Sequence, residues 1–498
     1  MSERRRPLAL DPAEFRRIGH SLVEAIADHL STLPTRPVTR GGAPDAIRAL
    51  LDGDAPLPVE GRDPAVLIES AARLLFDQSL FNGHPRFFGY ITASPAHVGI
   101  LGDFLAAAAN PNVGGFTLAP VATEIEAQTL RWIAELIGYP RECGGILVSG
   151  GNMANFVGFF AARTAKAGAQ VRAAGLGGDA GRLRVYCSAE THTWIQKAAD
   201  LSGLGTDAVR WIPVDAELRM DVAALERTID EDAARGDRPF LVVGTGGSVS
   251  TGAIDPLTAI ARVCRARDLW FHVDGAYGGF AAAVPGAAPE LEAGIPLADS
   301  VAVDPHKWLY SPLEAGCALV RSVEHLRGAF AYNPPYYHFG IEATNFVDYG
   351  PQNSRGFRAL KVWLALAHAG RAGYAASIGD DIALAARLYD RVAEHPELEP
   401  CTRALSITTF RFVPANLRSR TGDPAIETYL NGLNAAILDR IQRDGDAFVS
   451  NAVLRGRYVL RACIVNFNTQ PADIDALPAI VARLGAALDA ELRPGAGV

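Results

Sequence analysis

A lysine and an aspartate, each at the end of a short apolar run, are the residues of this sequence that best suit covalent chemistry. The run Ser300–Val303 is typical of a buried strand that a proline ends, and His306 and Lys307 follow it. A second apolar run ends at Asp274, before a glycine-rich segment. Because open α/β sheets bind ligands at the carboxyl ends of their strands, we expect Lys307 and Asp274 to face one site.

The two residue types indicate a particular cofactor. A partly desolvated amine loses its proton more easily, so Lys307 is suited to forming a Schiff base with an aldehyde. A carboxylate such as Asp274 can bind the protonated ring nitrogen of pyridoxal phosphate, and a lysine paired with an aspartate is typical of sites for that cofactor. A lone lysine after a strand is more often an ordinary surface residue, but two matched strand ends favour the cofactor site. The same pair would also suit an aminotransferase, a desulfurase or another lyase, or a protein that binds the cofactor without turnover.

A glycine turn is the candidate phosphate site. Gly144–Asn155 has the pattern of a strand, a tight turn and the start of a helix. The amino terminus of a helix has unpaired N–H groups and a partial positive charge, so it binds phosphate. The turn alone is a weak signal, because glycine is equally suited to a simple tight connection. Together with Lys307 and Asp274, it predicts that the backbone of Gly151 and Asn152 cradles the phosphate.

Two of these segments carry a family resemblance. Asp304–Trp308 and His272–Tyr277 resemble motifs of the pyridoxal-phosphate-dependent group II amino-acid decarboxylases, the family of the aromatic-L-amino-acid, histidine and glutamate decarboxylases. The similarity runs from about Phe15 to the last helix. It implies pyridoxal-phosphate fold type I in the α/β class, with a mostly parallel, doubly wound large domain, an N-terminal helical extension and a small C-terminal α+β domain. The expected boundaries are residues 1–96, 97–372 and 373–498.

The resemblance also assigns residues to the site. It implies that Lys307, His192 and Asp274 are catalytic, with His192 stacked on the cofactor ring. The expected contacts to pyridoxal 5'-phosphate are Gly150, Gly151, Asn152, His192, Thr245, Asp274, Ala276, Asp304, His306 and Lys307. The expected substrate-pocket residues are Tyr90, Thr92 and Phe346. No metal ion is expected.

The resemblance implies removal of carbon dioxide from an L-amino acid, which leaves an amine. Trp308–Leu309 and Arg358–Trp363 look more like the aromatic branch of the family than the glutamate branch, so we expect an aromatic substrate. Aromatic members often have a tryptophan at the place of Asn82. This difference leaves open a non-aromatic substrate such as glutamate or 2,4-diaminobutyrate.

The product depends on a loop before Arg355. In the resembled decarboxylases this loop holds a tyrosine that protonates the α-carbon after carbon dioxide leaves, whereas relatives with phenylalanine consume oxygen and form an aldehyde. A phenol can donate a proton and a phenyl group cannot. Counting back from Arg355 without gaps gives Phe346, so oxidative decarboxylation to an aldehyde is the alternative reaction. Tyr336, Tyr337 or Tyr349 could instead supply the hydroxyl, and Phe346 could be a packing residue.

The elements that position these residues follow from hydrophobic patterns. Short apolar strands alternate with helical segments from Gly145 to Arg321, which predicts a mostly parallel sheet with helices on both faces. Pro34–Pro64 is predicted to be a connector. In the C-terminal part we predict two strands and two helices, at Ser406–Val413, Tyr458–Val465, Ala425–Arg443 and Ile474–Leu492.

The N-terminal segment is predicted to begin with an amphipathic helix. Asp11–Glu14 has an acidic cap, a proline in the first turn and a glutamate at the third position. The residues of its apolar face are Phe15, Ile18, Leu22, Ile26, Leu30 and Leu33. In the resembled family such a segment packs on the second subunit, so we expect a homodimer with the active site at the interface. Packing within its own chain is the alternative.

Composition excludes several kinds of partner. The 498 residues are 49% hydrophobic and 20% charged, as in globular proteins, and a net charge of −8 argues against nucleic acid and anionic membranes. No run approaches the roughly 18 apolar residues of a membrane span, and the basic start is not a signal peptide. The six cysteines are scattered without a CxxC pair, so we predict buried thiols in a cytoplasmic protein.

Overall fold

The computed structural model of the chain describes residues 6–176, 181–332 and 343–493. Its strands are β1 (Gly144–Val148), β2 (Leu183–Ser188), β3 (Val209–Ile212), β4 (Arg238–Thr245), β5 (Trp270–Asp274), β6 (Ser300–Val303), β7 (Gly316–Val320), β8 (Leu398–Ala404), β9 (Ile407–Phe412), β10 (Ser450–Leu454) and β11 (Arg457–Cys463). Its α-helices are α1 (Pro12–Thr32), α2 (Pro44–Leu50), α3 (Pro64–Gln78), α4 (His97–Ala109), α5 (Pro120–Leu136), α6 (Gly151–Ala167), α7 (Val171–Ala174), α8 (Trp194–Leu201), α9 (Val222–Ala234), α10 (Leu257–Ala266), α11 (Pro289–Gly294), α12 (Pro305–Trp308), α13 (Val323–Phe330), α14 (Ala359–Glu394), α15 (Pro424–Asp444) and α16 (Pro471–Leu492).

The large domain is built on a seven-stranded sheet, within the described residues, in the order β1-β7-β6-β5-β4-β2-β3. The neighbouring pairs β3–β2, β2–β4, β4–β5 and β5–β6 are parallel. Strand β7 pairs antiparallel with both β6 and β1. The strands β5 and β6 are buried along their whole length and β4 from Phe240 onward, as expected for a sheet covered on both faces. The predicted α/β class and mostly parallel sheet are confirmed.

The register of three adjacent strands brings the site residues to one edge. Thr245 at the end of β4 lies opposite Asp274 at the end of β5, and Asp274 lies opposite Ala302 in β6. Asp304 follows two residues after Ala302. The ends of β4, β5 and β6 therefore present Thr245, Asp274 and Asp304 along the carboxyl edge of the sheet, as the strand-end argument predicts.

The C-terminal part forms a second, antiparallel sheet in the order β10-β11-β9-β8. The predicted strands correspond to β9 and β11, and the predicted helices to α15 and α16. The edge strands β8 and β10 were not predicted. Phe88, which lies before the large domain in the sequence, belongs to the buried apolar core of this C-terminal part. Its N–H donates to the Phe448 carbonyl, and its carbonyl accepts from the Cys463 N–H. The domain boundaries at residues 96 and 372 stay a prediction.

The N-terminal segment begins as predicted. The Asp11 side chain accepts hydrogen bonds from the Ala13 and Glu14 N–H groups and caps α1. Helix α1 packs against α3, with the His29 ring stacked on Phe76 at 4.2 Å between centroids. Phe15 of the predicted apolar face remains 56% exposed. The predicted connector between residues 34 and 64 contains the short helix α2.

None of the helices in the described ranges is both long enough and apolar enough to span a membrane.

A buried ion pair fixes the strand that leads into the glycine turn. Arg355 donates from Nη2 to Glu126 Oε1 at 2.5 Å, and both side chains are fully buried. The same carboxylate oxygen accepts from the Leu147 N–H at 3.0 Å, and Arg355 also donates to the Leu147 carbonyl at 2.7 Å. The pair therefore holds both backbone groups of Leu147, close to the end of β1.

We expect Arg355→Met to be strongly destabilising, because it leaves the Glu126 carboxylate buried without a charged partner. Breaking a buried pair by removing one partner costs about 3–5 kcal/mol. The matched control is Arg443→Met, which breaks a pair with Asp439 whose side chains are 67% and 63% exposed and should cost under about 1 kcal/mol. Urea denaturation midpoints measure both, and equal small losses would contradict the expectation.

Candidate active site

One cavity of about 460 Å³ contains the predicted cofactor site. It opens at the carboxyl edge of the large sheet, beside the ends of β4, β5 and β6. All ten residues predicted to contact the cofactor line it: Gly150, Gly151, Asn152, His192, Thr245, Asp274, Ala276, Asp304, His306 and Lys307. The structure thus brings together residues that are up to 157 positions apart between Gly150 and Lys307 in the sequence.

Lys307 lies on the single turn α12, just beyond the end of β6. Its Nζ is 3.0 Å from Asp304 Oδ2, and its side chain is 19% exposed. Asp304 is almost fully buried, and its Oδ1 has no hydrogen-bond partner among the described residues. The lysine is therefore held by one carboxylate oxygen, while the second oxygen is left without a donor.

The turn that carries Lys307 is anchored to α14. The next residue, Trp308, donates from Nε1 to Asp381 Oδ2 at 2.9 Å, and the Tyr310 hydroxyl donates to the same oxygen at 2.7 Å. Burial raises the pKa of Asp381 to about 7, although both donors oppose the rise. Tyr277 stacks on Trp308 with 5.0 Å between ring centroids. These contacts limit the movement of the Lys307 backbone.

Asp274 ends β5 and is nearly buried. Its Oδ2 accepts a hydrogen bond from Trp194 Nε1 at 2.7 Å, and its Oδ1 accepts from the Ala276 N–H at 3.2 Å. Each carboxylate oxygen has two acceptor positions, so Asp274 can still accept a hydrogen bond from a ligand in the cavity. Hydrogen bonds to the charged form favour an ionised carboxylate.

His192 lies in the turn before α8. Its Nδ1 accepts a hydrogen bond from the Trp194 N–H at 3.2 Å, which assigns the proton of a neutral ring to Nε2. Burial lowers the pKa of His192, and the nearby Lys307 charge acts in the same direction against the opposing effect of Asp274. The imidazole is therefore neutral around pH 7.

The glycine turn precedes the 17-residue helix α6, whose amino terminus lines the cavity. Among the residues that the structure describes, no side chain caps this helix, so the N–H groups of Gly151 and Asn152 have no side-chain acceptor there. A Cβ added at Gly151 would lie 2.6 Å from Asp304 Oδ2. Glycine is thus required at this position because the helix start and Asp304 approach each other closely.

The three predicted substrate-pocket residues do not line this cavity. Tyr90 is 57% exposed, with a φ of 50° and its ring 5.9 Å from that of Phe448. Thr92 is half-buried nearby. Phe346 is buried beneath the Arg355 guanidinium, 4.9 Å from it. Their roles in substrate binding stay predictions, and Tyr336 and Tyr337 lie outside the described residues.

Sequence reasoning missed several residues of the cavity wall. Glu190, Val249, Leu313 and Glu314 lie on its lining, and the Glu314 carboxylate accepts from Arg358 at 2.9 Å. Trp194 was also missed, although it is only two residues after His192. Its contact with Asp274 joins positions 80 apart in the sequence, so no local pattern could indicate it.

Comparison with known proteins agrees with this geometry. Residues 44–413 match the family model described as the pyridoxal-dependent decarboxylase conserved domain. The aromatic-L-amino-acid decarboxylase of Bacillus atrophaeus is 33% identical over 467 residues, which cover 93% of each chain. A phenylacetaldehyde synthase of Petunia hybrida is 30% identical over 91% of each chain. The crystal structure of Oryza sativa TDC with PLP and tryptamine has a TM-score of 0.88 and 27% identity, and the match covers 97% of this chain and 100% of that one.

The residues present fit pyridoxal phosphate. The uncapped start of α6 suits the phosphate, the Lys307 amine suits the aldehyde, and the Asp274 carboxylate suits the ring nitrogen. Asp304 Oδ1 is buried and has no hydrogen-bond partner within the described part of the chain. The cavity therefore has a partner for the phosphate, the aldehyde and the ring nitrogen of this cofactor.

We expect Gly151→Ala to weaken cofactor binding by about 10- to 100-fold, the equivalent of the roughly 1–3 kcal/mol that overpacking costs. The added methyl group would displace Asp304, whose Oδ2 also holds Lys307. The control is Gly328→Ala in α13, where an added Cβ meets nothing within 4 Å. Titrating apoprotein with pyridoxal phosphate and following its visible absorbance measures both. Equal affinity in the two variants would contradict the close approach.

Proposed function

The chain belongs to the pyridoxal-dependent decarboxylase family, and on that premise we propose that it converts an aromatic L-amino acid into the corresponding amine and carbon dioxide. Members of this family are pyridoxal-phosphate-dependent lyases, and so is this protein. The observation that carries the proposal is the cavity in which Lys307, Asp274 and His192 meet beside the start of α6.

The chemistry divides between cofactor and protein. Pyridoxal phosphate, when bound, supplies the ring that accepts the electron pair left when a bond to the substrate α-carbon breaks. Lys307 would supply the amine that binds its aldehyde carbon, and Asp274 would accept a hydrogen bond from the ring nitrogen. His192, neutral and protonated on Nε2, would hold the ring in position, as the family resemblance implies.

The charge of the cavity wall supports a substrate without an acidic side chain. Among the described residues the lining contains Glu190 and Glu314 but no arginine, and Lys307 is its only lysine. A glutamate side chain would meet repulsion there. Val249 and Leu313 are 40% and 58% exposed on the same wall and offer apolar contact to an aromatic ring. The acidic wall also suits a cationic side chain, so 2,4-diaminobutyrate is the second candidate substrate.

The position of Phe346 supports the amine over the aldehyde. The case for an aldehyde depends on a phenylalanine that takes the place of a proton-donating tyrosine near the substrate. Phe346 is 1% exposed and packs against Arg355 and Tyr349, and it does not line the cavity. We therefore infer that Phe346 is a packing residue. The proton-donating hydroxyl stays assigned to one of Tyr336, Tyr337 and Tyr349, of which the first two lie outside the described residues.

The reaction can be tested with a panel of tryptophan, tyrosine, phenylalanine, histidine, glutamate and 2,4-diaminobutyrate. We expect equal amounts of amine and carbon dioxide from an aromatic member of the panel, without oxygen uptake. Lys307→Ala should abolish turnover because no other lysine lines the cavity within the described residues. Lys166→Ala is the control, since this lysine pairs with the exposed Asp268 and should leave turnover unchanged.

Carbon dioxide, amine, oxygen and peroxide are measured together. Aldehyde with stoichiometric peroxide would replace the amine proposal by oxidative decarboxylation, whereas a keto acid without carbon dioxide would overturn both. Amine formed only from 2,4-diaminobutyrate or glutamate would overturn the aromatic substrate and leave the reaction type intact.

We propose a homodimer with the active site at its interface. On α4, Leu101, Phe104 and Leu105 are 60%, 50% and 58% exposed, at spacings that place them on one face. The other side of α4 packs closely on α14, where a Cβ at Gly102 would lie 3.1 Å from the Lys361 Cα. Monomeric proteins rarely expose large apolar patches. A second copy of the chain is the partner that the family resemblance implies.

We expect the double variant Leu101→Glu and Phe104→Glu to sediment as a monomer at low micromolar concentration and to lose activity, because each subunit then lacks the neighbour that completes its site. Leu201→Glu is the control, since Leu201 is 72% exposed at the end of α8 and outside this face. It should remain a dimer. A fully active monomer, in the wild type or the double variant, would refute the interface site.

We also propose a cytoplasmic location. All six cysteines are free thiols in the structure, as is usual in a reducing compartment.

A further inference from the structure

Trp194 is in direct contact with two of the candidate catalytic residues. It is the first residue of α8, it is fully buried, and it lies between the turn that carries His192 and the end of β5. It makes one hydrogen bond to each of two catalytic residues, one through its indole ring and one through its backbone. The comparisons and the family motifs assign no role to this position.

The indole bond acts on Asp274. Trp194 Nε1 donates to Asp274 Oδ2 at 2.7 Å, which orients the carboxylate and stabilises its ionised form. The indole is a neutral donor without acceptor capacity, so it does not neutralise the carboxylate as an arginine or a lysine would. Among the described residues Asp274 has no ion-pair partner, so its carboxylate remains available to a protonated ring nitrogen in the cavity.

The backbone bond acts on His192. The Trp194 N–H donates to Nδ1 at 3.2 Å, so the ring proton of the neutral imidazole lies on Nε2. The orientation of one ring and the orientation of one carboxylate thus depend on the same residue. A shift of Trp194 would move both together.

Trp194 packs against His272, whose two ring nitrogens both have hydrogen-bond partners. Its ring meets His272 edge to face, with 5.8 Å between the ring centroids. His272 bonds Asn155 Oδ1 through Nε2 and Ser300 Oγ through Nδ1, both at 2.7 Å. Asn155 belongs to α6, the helix whose start lines the cavity. These contacts connect the phosphate end of the cavity to Trp194 and, through Trp194, to the carboxylate at the other end.

We propose that Trp194 is a positioning residue that fixes Asp274 and His192 relative to each other for the bound pyridoxal phosphate. The inference rests on the cofactor of the family and not on the proposed substrate. The competing explanation is that Trp194 only fills the core. In that case cofactor binding depends on the size of its ring and not on its indole N–H.

Trp194→Phe separates these explanations, because it keeps an aromatic ring against His272 and removes the N–H that Asp274 accepts. Hydrogen bonds to charged groups contribute about 1.5–3 kcal/mol, so we expect pyridoxal phosphate to bind the apoprotein about 10- to 100-fold more weakly. The matched control is Trp363→Phe, which removes an indole hydrogen bond of 2.7 Å to Gln128 Oε1, away from the cavity, and should leave cofactor affinity unchanged.

A second readout is the pH dependence of the visible absorbance of the bound cofactor. Without the indole donor, the Asp274 carboxylate is less firmly oriented toward the ring nitrogen, so the ring nitrogen is less fully protonated and withdraws less charge from the nitrogen of Lys307. That nitrogen then loses its proton at higher pH, and the midpoint of the absorbance change should move upward in Trp194→Phe and not in Trp363→Phe. A residue that only fills the core would not move this midpoint.

A cofactor analogue with carbon in place of the ring nitrogen tests whether Trp194 acts through Asp274. Its affinity should be the same in wild type and Trp194→Phe, since it has no N–H group that could donate to Asp274.

Unchanged affinity for pyridoxal phosphate with an unchanged midpoint would overturn the proposal. If Trp194→Phe does not fold, Trp194→Tyr replaces it, and failure of both to fold would assign the residue to the core alone. None of these measurements uses an amino acid, so their failure leaves the substrate proposal untouched, and the reverse also holds.

Discussion

Two carboxylates buried next to each other at strand ends are the constraint on which the site depends. Asp274 and Asp304 are 7% and 1% exposed, and a buried charge is costly unless it is paired or hydrogen-bonded. Asp304 is paired with Lys307, whereas Asp274 is hydrogen-bonded by a neutral indole. This asymmetry supports the different roles proposed for the two acids: Asp304 is in contact with the Lys307 amine, and Asp274 has no ion-pair partner among the described residues.

The reactive amine is also held from outside the large sheet. Asp381 receives hydrogen bonds from Trp308 and Tyr310, on either side of the end of α12, and it lies on α14, which continues to the four-stranded sheet. Tyr277 stacks on Trp308 and bonds Ser406 beside β9 with its hydroxyl. The position of Lys307 is therefore coupled to the small domain through buried contacts, and a displacement of α14 would be transmitted to the turn that carries it.

The sequence predicted the parts of this site that depend on strand ends and motifs. Lys307, Asp274 and the glycine turn follow apolar runs, and the run before Asp304 corresponds to β6 in every residue. The edge strands β8 and β10 were missed because their side chains are only partly buried, and Pro400 in β8 argued against a strand. Trp194 and Asp381 could not be predicted, because each acts through a hydrogen bond across more than 70 positions of sequence. Phe346 was singled out by counting back from Arg355, and in the structure it is buried under the Arg355 guanidinium. Its role near the substrate stays a prediction.

The lining of the cavity has few cations, which is consistent with a reaction in which the substrate loses its α-carboxylate. A reaction that keeps the substrate carboxylate through turnover needs a cation to bind it. Among the described residues of the lining, the only permanent cation is Lys307, which the cofactor engages, and burial lowers the pKa of both His192 and His306 so that they are neutral. Glu190 adds negative charge at the wall, whereas Glu314 is paired with Arg358. An α-carboxylate in this cavity lies in an unfavourable potential, and its departure as neutral carbon dioxide removes the repulsion. Within the described residues of one chain, this distribution of charge favours decarboxylation, the reaction of the family to which the chain belongs.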